Sequence, residues 1–268
     1  MEAKFSELIK NSKKCKIGIC MENEIPDLLK ENLLQLSTSH DLRIYSRKIV
    51  FPVTIEASDP SMKLLVDYKN GEIDTFVRGI NDDYTFQQKY KDLFHFKQLM
   101  RLAILKDAHQ NEFCLGPISA SEAATFDDRR IFITKTIDFL QSVKINPRVA
   151  IMSRCRAGSV DYSKENKINW NESNAIRDEL RSKGVDCENV GIELEKAVGH
   201  FNVIIPANGM IGNQIFRTLT FLGKGSIIGI PAFSTEDRSF RYCYEDNSRN
   251  ELDYESHINA ASFWASFR

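Results

Sequence analysis

Two arginines directly behind an apolar run are the first residues whose placement could do chemistry. In Pro147-Arg148-Val149-Ala150-Ile151-Met152-Ser153-Arg154-Cys155-Arg156-Ala157-Gly158-Ser159, residues 148–153 read as a buried strand. The loop behind it carries Arg154 and Arg156 and closes on Gly158 and Ser159. In open α/β sheets ligands bind beyond the carboxyl ends of strands, where backbone N–H groups and loop cations meet an anion. Arg154 and Arg156 could face a phosphate there, with the Gly158-Ser159 pair closing the loop. A solvated loop whose arginines pair with neighbouring acids is the alternative.

A second segment, Val203-Ile204-Ile205-Pro206-Ala207-Asn208-Gly209-Met210-Ile211-Gly212-Asn213-Gln214-Ile215-Phe216-Arg217, reads as strand, glycine-bearing turn and helix. Glycine admits close backbone approach to a ligand, and a helix start presents unpaired N–H groups at the positive end of its dipole. Asn208 and Asn213 could add side-chain hydrogen bonds; equally, Asn208 could start a turn and Asn213 cap a backbone group. The pattern is neither a dinucleotide nor a P-loop fingerprint. A third segment, Glu245-Asp246-Asn247-Ser248-Arg249-Asn250-Glu251-Leu252-Asp253-Tyr254-Glu255-Ser256-His257, crowds polar groups before a last helix. Arg249 could neutralise charge on a phosphate or carbonyl oxygen, and a carboxylate about six residues on could act as a base. The same string also satisfies ordinary helix-capping chemistry.

Elsewhere the sequence excludes more than it selects. The 36 basic and 37 acidic side chains leave a net charge of -1, without the basic excess that displaces counterions from nucleic acid. No stretch approaches the roughly 18 apolar residues of a membrane-spanning helix, and the N-terminus has no apolar core of a signal peptide, so a cytoplasmic protein is expected. The six cysteines never form a C-x-x-C pair, and no histidine is assigned a metal, so no metal site is expected. No G-x-S-x-G elbow is present. Phe86, Tyr90, Phe94 and Phe96 read as core rather than as a cofactor box.

The elements that must position these segments alternate between short apolar runs and amphipathic stretches, the mark of βαβ units around mostly parallel sheets. Strands are predicted at 16–21, 42–45, 75–80, 113–115, 148–153, 203–205 and 226–230. Helices are predicted at 26–36, 126–143 and 211–222, with another long helical stretch before residue 106 and one at the C-terminus. At 268 residues, one large or two modest domains fit the length. The expected division puts residues 1–110 with 232–268 in a first lobe and 111–231 in a second.

Taken in order, these segments resemble the phosphotransacetylase and phosphotransbutyrylase family along the whole chain. The resemblance rests on P-R-V-A-I-M-S with its later Gly-Ser, on V-I-I-P-A-N-G-M-I-G-N-Q-I-F-R, on L-G-K-G-S-I-I-G-I-P, and on Ser248-Arg249. In the first half, Gly71-Glu72-Ile73-Asp74-Thr75-Phe76-Val77-Arg78-Gly79-Ile80 is similar to a family strand and its small-residue turn, which brings in Arg78 as a substrate-binding candidate. The chain looks most like the MtxX branch, the methanogenesis marker protein 4 group, whose members are described as methyltransferases of methanogenic archaea. The resemblance implies two α/β/α lobes of the isocitrate and isopropylmalate dehydrogenase type with a cleft between them. It implies no tightly bound cofactor, coenzyme A or another phosphate-bearing molecule as substrate, and a homodimer. Ser248, Arg249 and Glu255 would be catalytic, with Arg78, Arg154, Gly158, Ser159, Asn208 and Asn213 holding a small anionic substrate. Glu255 stands where the family pattern leads one to expect an aspartate, and Cys114-Leu115-Gly116-Pro117 lacks the carboxylate of the family's corresponding strand end. Acyl transfer, methyl transfer without any visible S-adenosylmethionine glycine loop, and a non-catalytic sensing or assembly role on the same fold are the three functions the sequence leaves open.

Overall fold

The computed structural model describes residues 4–10, 14–248 and 250–268. In chain order the strands are β1 Lys16–Met21, β2 Asp41–Ser46, β3 Thr54–Glu56, β4 Thr75–Ile80, β5 Leu99–Arg101, β6 Ala103–Lys106, β7 Glu112–Leu115, β8 Arg148–Met152, β9 Asp186–Gly191, β10 Val203–Ile205, β11 Ser226–Gly229, β12 Pro231–Ser234 and β13 Tyr244–Glu245. The α-helices are α1 Phe5–Lys10, α2 Asp27–Leu36, α3 Pro60–Asn70, α4 Asp83–Phe94, α5 Phe126–Ser142, α6 Lys164–Ser182, α7 Gly209–Arg217 and α8 Glu255–Trp264. They fall into two compact units: Ser6–Leu99 with Ile228–Arg268, and Met100–Ile227 with Lys4 and Phe5. The divisions lie between residues 99 and 100 and between 227 and 228, where the sequence suggested 110/111 and 231/232.

The unit made of the chain's two ends carries a sheet ordered β3-β2-β1-β4-β13-β12-β5. Strands β3, β2, β1, β4 and β13 run parallel, and β12 pairs antiparallel with β13. Alternation along the central strands sorts two cores. Ile17, Ile19, Met21 and Val77 pack with Leu29 and Leu33 of α2 and Ile258 of α8. Cys20 and Phe76 point to the other face, among Leu64, Leu65 and Tyr68 of α3 and Phe86 and Tyr90 of α4. A period of two along a strand gives this division, and leucines one helical turn apart on α2 meet it. Phe94 and Phe96 pack against the second core, so the aromatic stretch is structural. Asp59 caps α3 by accepting from Met62 N, and Gly71 ends the helix in the left-handed region at φ 80°.

The other unit carries a sheet ordered β11-β6-β7-β10-β8-β9. Strands β7, β10, β8 and β9 are parallel, and β6 is antiparallel to β7. The carboxyl ends of β7, β8 and β10 therefore share one edge. Helix α5 begins with a reciprocal capping box, Thr125 with Asp128. Helix α7 starts at the end of β10, capped by Asn208 Oδ1 accepting from Ile211 N at 3.0 Å. A Cβ at Gly209 would stand 1.7 Å from Ser119 O; only glycine lets this helix start against the loop that follows β7. Both sheets are thus mostly parallel and helix-covered, as the alternation of elements predicts. No helix among the described residues is long and apolar enough to cross a membrane.

Candidate functional site

The first two sequence segments converge on the parallel-strand edge of the unit around β8 and β10. Arg154 follows β8, is exposed, and is fixed at its backbone by N–H donation to Asn169 Oδ1 at 2.8 Å. Arg154 and Asn208 line the same depression of about 270 Å³, together with Thr125, Asn169 and Glu172. Gly158 and Ser159 belong to a 3-10 turn, Ala157–Tyr162, and neither is among the residues lining that depression. The Ser159 carbonyl accepts from Asn166 Nδ2 at 3.1 Å. Asn213, one turn into α7, donates its amide to Ile118 O at 2.8 Å and so ties the helix to the loop after β7. Arg154 and Asn208 are thus brought together, while Asn213 holds the scaffold beneath them.

The third segment lies wholly in the other unit. Arg78 on β4 is buried, and its guanidinium donates to Asp246, to the Asn247 carbonyl and, at 3.0 Å, to Asn81 Oδ1. Burial alone would lower its pKa; Asp246 and Asp83 outweigh that and hold it above the usual arginine value. Asn247 Oδ1 accepts from Gly79 N at 2.8 Å, and its amide donates to Tyr254 OH at 3.0 Å. A Cβ at Gly79, whose φ is 79°, would lie 1.9 Å from Cys20 O, so this strand position needs glycine for both its conformation and its space. Arg78 therefore spends its donors on the strand end that precedes Ser248. Ser248 is half-buried, with its Oγ 3.4 Å from Asn250 N. Glu255 is exposed at the first position of α8. Arg249 lies outside the described residues.

Two buried groups here escaped the sequence reading. His257 on α8 is fully buried between carboxylates, its Nδ1 2.6 Å from Glu245 Oε1 and its Nε2 2.9 Å from Glu251 Oε2. Glu245 Oε2 also accepts from Trp264 Nε1 at 2.6 Å, and its Oε1 from Ile230 N at 2.7 Å. Burial works against the imidazolium, but the two carboxylates prevail and lift its pKa to about 10. The loop bearing Ser248 is thereby held on both sides, by Arg78 before it and His257 after it. The second overlooked group is Arg129, buried on α5 next to the half-exposed Arg130 that pairs with Glu179 at 2.7 Å. Adjacent helical positions lie about 100° apart, so sequence alone does not tell which arginine turns inward. Among the described residues no group of three His, Cys, Asp or Glu side chains could hold a metal ion.

No protein-family model matches the chain. It is 27% identical over 195 residues to a protein of Methanosarcina mazei that carries the name methyltransferase mtx subunit X, covering 73% of this chain and 68% of that one. It is 29% identical over 230 residues to a Methanocaldococcus jannaschii protein named an uncharacterized methyltransferase, covering 83% and 91%. Among solved structures, a branched-chain phosphotransacylase from Enterococcus faecalis V583 superposes with a TM-score of 0.70 at 13% identity, over 93% of this chain and 99% of the other. A 4-hydroxythreonine-4-phosphate dehydrogenase from Klebsiella pneumoniae gives a TM-score of 0.58 at 10% identity, over 95% and 99%. At such identities the structures show the fold. The chain is similar in sequence to the archaeal Mtx subunit X proteins and shares its fold with the phosphotransacylase structure.

Proposed function

We propose that this chain is a transferase of methanogenic archaea that takes a phosphate-bearing substrate of the coenzyme A or acyl phosphate type. One observation carries the reading: exposed Arg154 and the α7 cap Asn208 share one depression at the carboxyl edge of a parallel sheet, where anions bind in such folds. In the acyl-transfer form, Glu255 takes the proton of the coenzyme A thiol. The thiolate sulfur attacks the acyl carbon, the new C–S bond forms, and the C–O bond to phosphate breaks with phosphate leaving. Arg249 and Ser248 neutralise and orient the charge growing on the oxygens. Arg78 acts through the Asp246-Asn247 strand end, Arg154 and Asn208 serve substrate binding, and Asn213 positions α7.

The names of the archaeal relatives favour a second reading, methyl transfer in one-carbon metabolism. The deciding experiment incubates purified protein with coenzyme A and acetyl phosphate or butyryl phosphate, then repeats it with Arg249→Ala and Glu255→Gln. Acyl-coenzyme A formation lost in both variants supports acyl transfer. Binding of coenzyme A without turnover points to a sensing or assembly role. Neither binding nor turnover sinks the proposal and moves the search to methyl donors.

A further inference from the structure

Arg129 lines the same depression as Arg154 and Asn208 although it is only 3% exposed. Its hydrogen bonds go to neutral acceptors: Ser173 Oγ at 3.1 Å, Met152 O at 2.6 Å and Ile205 O at 3.5 Å. Its Nε is buried with no partner. Met152 and Ile205 are the last residues of β8 and β10, so the guanidinium sits directly under the edge from which Arg154 and α7 project. A neutral glutamine could also donate to those carbonyls. What they do not account for is a full positive charge taken out of water, a cost of several kcal/mol for an ion without a counter-charge. Burial accordingly pulls its pKa down to about 10, with Glu172 offsetting only part of that.

The surroundings select the sign of the missing partner. Helix α7 has no acidic residue in its first turn, leaving its positive end uncompensated, whereas α5 carries Asp127 and Asp128 there. Arg154 adds an exposed guanidinium on the same wall. Glu165 and Glu172, both on α6, also line the depression; they oppose a bare anion but can accept from hydroxyl or amino groups on whatever carries it. We infer that this depression holds the phosphate group of the substrate, with Arg129 as its buried counter-ion, Arg154 as its solvent-side clamp and the start of α7 supplying backbone donors. The inference rests on the proposed transferase reading and narrows it, naming a phosphate monoester whose carrier presents hydrogen-bond donors to Glu165 and Glu172.

The test titrates inorganic phosphate into the full chain by calorimetry, with thermal unfolding run on every variant. Arg129→Gln, which keeps donors but removes charge, is expected to weaken phosphate by about tenfold or more, and Arg129→Lys to stay within about threefold of wild type. Arg154→Ala weakens it by about tenfold, and Glu172→Gln tightens it by about twofold. Equal affinity in wild type and a folded Arg129→Gln overturns the proposal, as does a wild type that takes up no phosphate at millimolar concentration. Should Arg129→Gln fail to fold, Arg129→Lys and Arg154→Ala still decide: loss in the first or indifference in the second counts against the site. Charge-dependent phosphate binding without acyl or methyl transfer leaves the site standing and sinks the transferase reading. Turnover with phosphate affinity indifferent to both arginines does the reverse.

Discussion

His257 Nδ1 lies 2.6 Å from Glu245 Oε1, so a helix and the short strand β13 are joined by an ion pair that is wholly buried. Removing one partner of such a pair strands the other charge, which costs more than the pair contributes. His257→Gln is therefore expected to lower stability by about 3 to 5 kcal/mol at pH 6.5. The sign of the pH effect follows from the raised pKa: the His257 contribution is complete below its unfolded value of 6.5 and is lost as pH climbs through about 10. Thermal unfolding should show wild-type stability declining between pH 7 and 10, with a flatter profile in His257→Gln. Parallel profiles would show that His257 is not held as a cation.

Gly71 and Gly79 both have φ near 80°, but their surroundings differ. An added Cβ at Gly71 meets nothing within 4 Å, and at Gly79 it meets Cys20 O at 1.9 Å. Gly71→Ala should cost about 1 to 2 kcal/mol, the strain of the left-handed conformation alone. Gly79→Ala should cost about 3 kcal/mol or more, because backbone must also move. It should disturb the Asn247 bond to Gly79 N as well. Chemical denaturation of the two variants side by side measures the difference.

How much of this was legible in the sequence depends on how apolar each element is. The runs of β1, β4, β8 and β10 stand out because central strands of parallel sheets are buried on both faces. Strand β9, Asp186-Cys187-Glu188-Asn189-Val190-Gly191, lies at a sheet edge next to β8 and keeps polar residues that hide it from a hydrophobicity argument. The two-residue β13 buries Glu245 and so reads as loop. The same holds for the site. Arg154 and Asn208 could be found because strand ends and helix starts carry local signals. The pairing of His257 with Glu245 and Glu251 spans 12 and 6 residues and depends on how a loop folds back, which no local pattern encodes.

Asn208 has two duties that substitutions can separate. As the cap of α7 it accepts from Ile211 N, and Asn208→Ala is expected to lose about 1 kcal/mol of stability. Asn208→Asp keeps the cap and favours the helix dipole, so stability should hold or rise slightly. The same change places a negative charge in the depression shared with Arg154, and inorganic phosphate should bind about tenfold more weakly or worse. Unfolding and phosphate titrations moving in opposite directions would separate capping from ligand binding. A phosphate affinity that merely tracks stability would count against the depression as an anion site.

Glu251 and Glu255 stand four residues apart, yet they should fail differently. Glu251 accepts from His257 at 2.9 Å as part of the buried clamp, whereas Glu255 is exposed at the start of α8. Replacing Glu255 by Gln removes a carboxylate near a helix N-terminus, worth about 0.3 to 1 kcal/mol. If Glu255 is the base of the proposed acyl transfer, that change should lower kcat by about 10² to 10⁴ with KM for acyl phosphate little altered. Glu251→Gln should instead lower stability by a few kcal/mol, roughly the cost of weakening a buried charge pair. Its effect on rate should diminish when the assay temperature is kept well below the variant's own Tm. A Glu255→Gln protein that turns over at the wild-type rate would remove this carboxylate from the mechanism and leave the thiol proton to another acceptor.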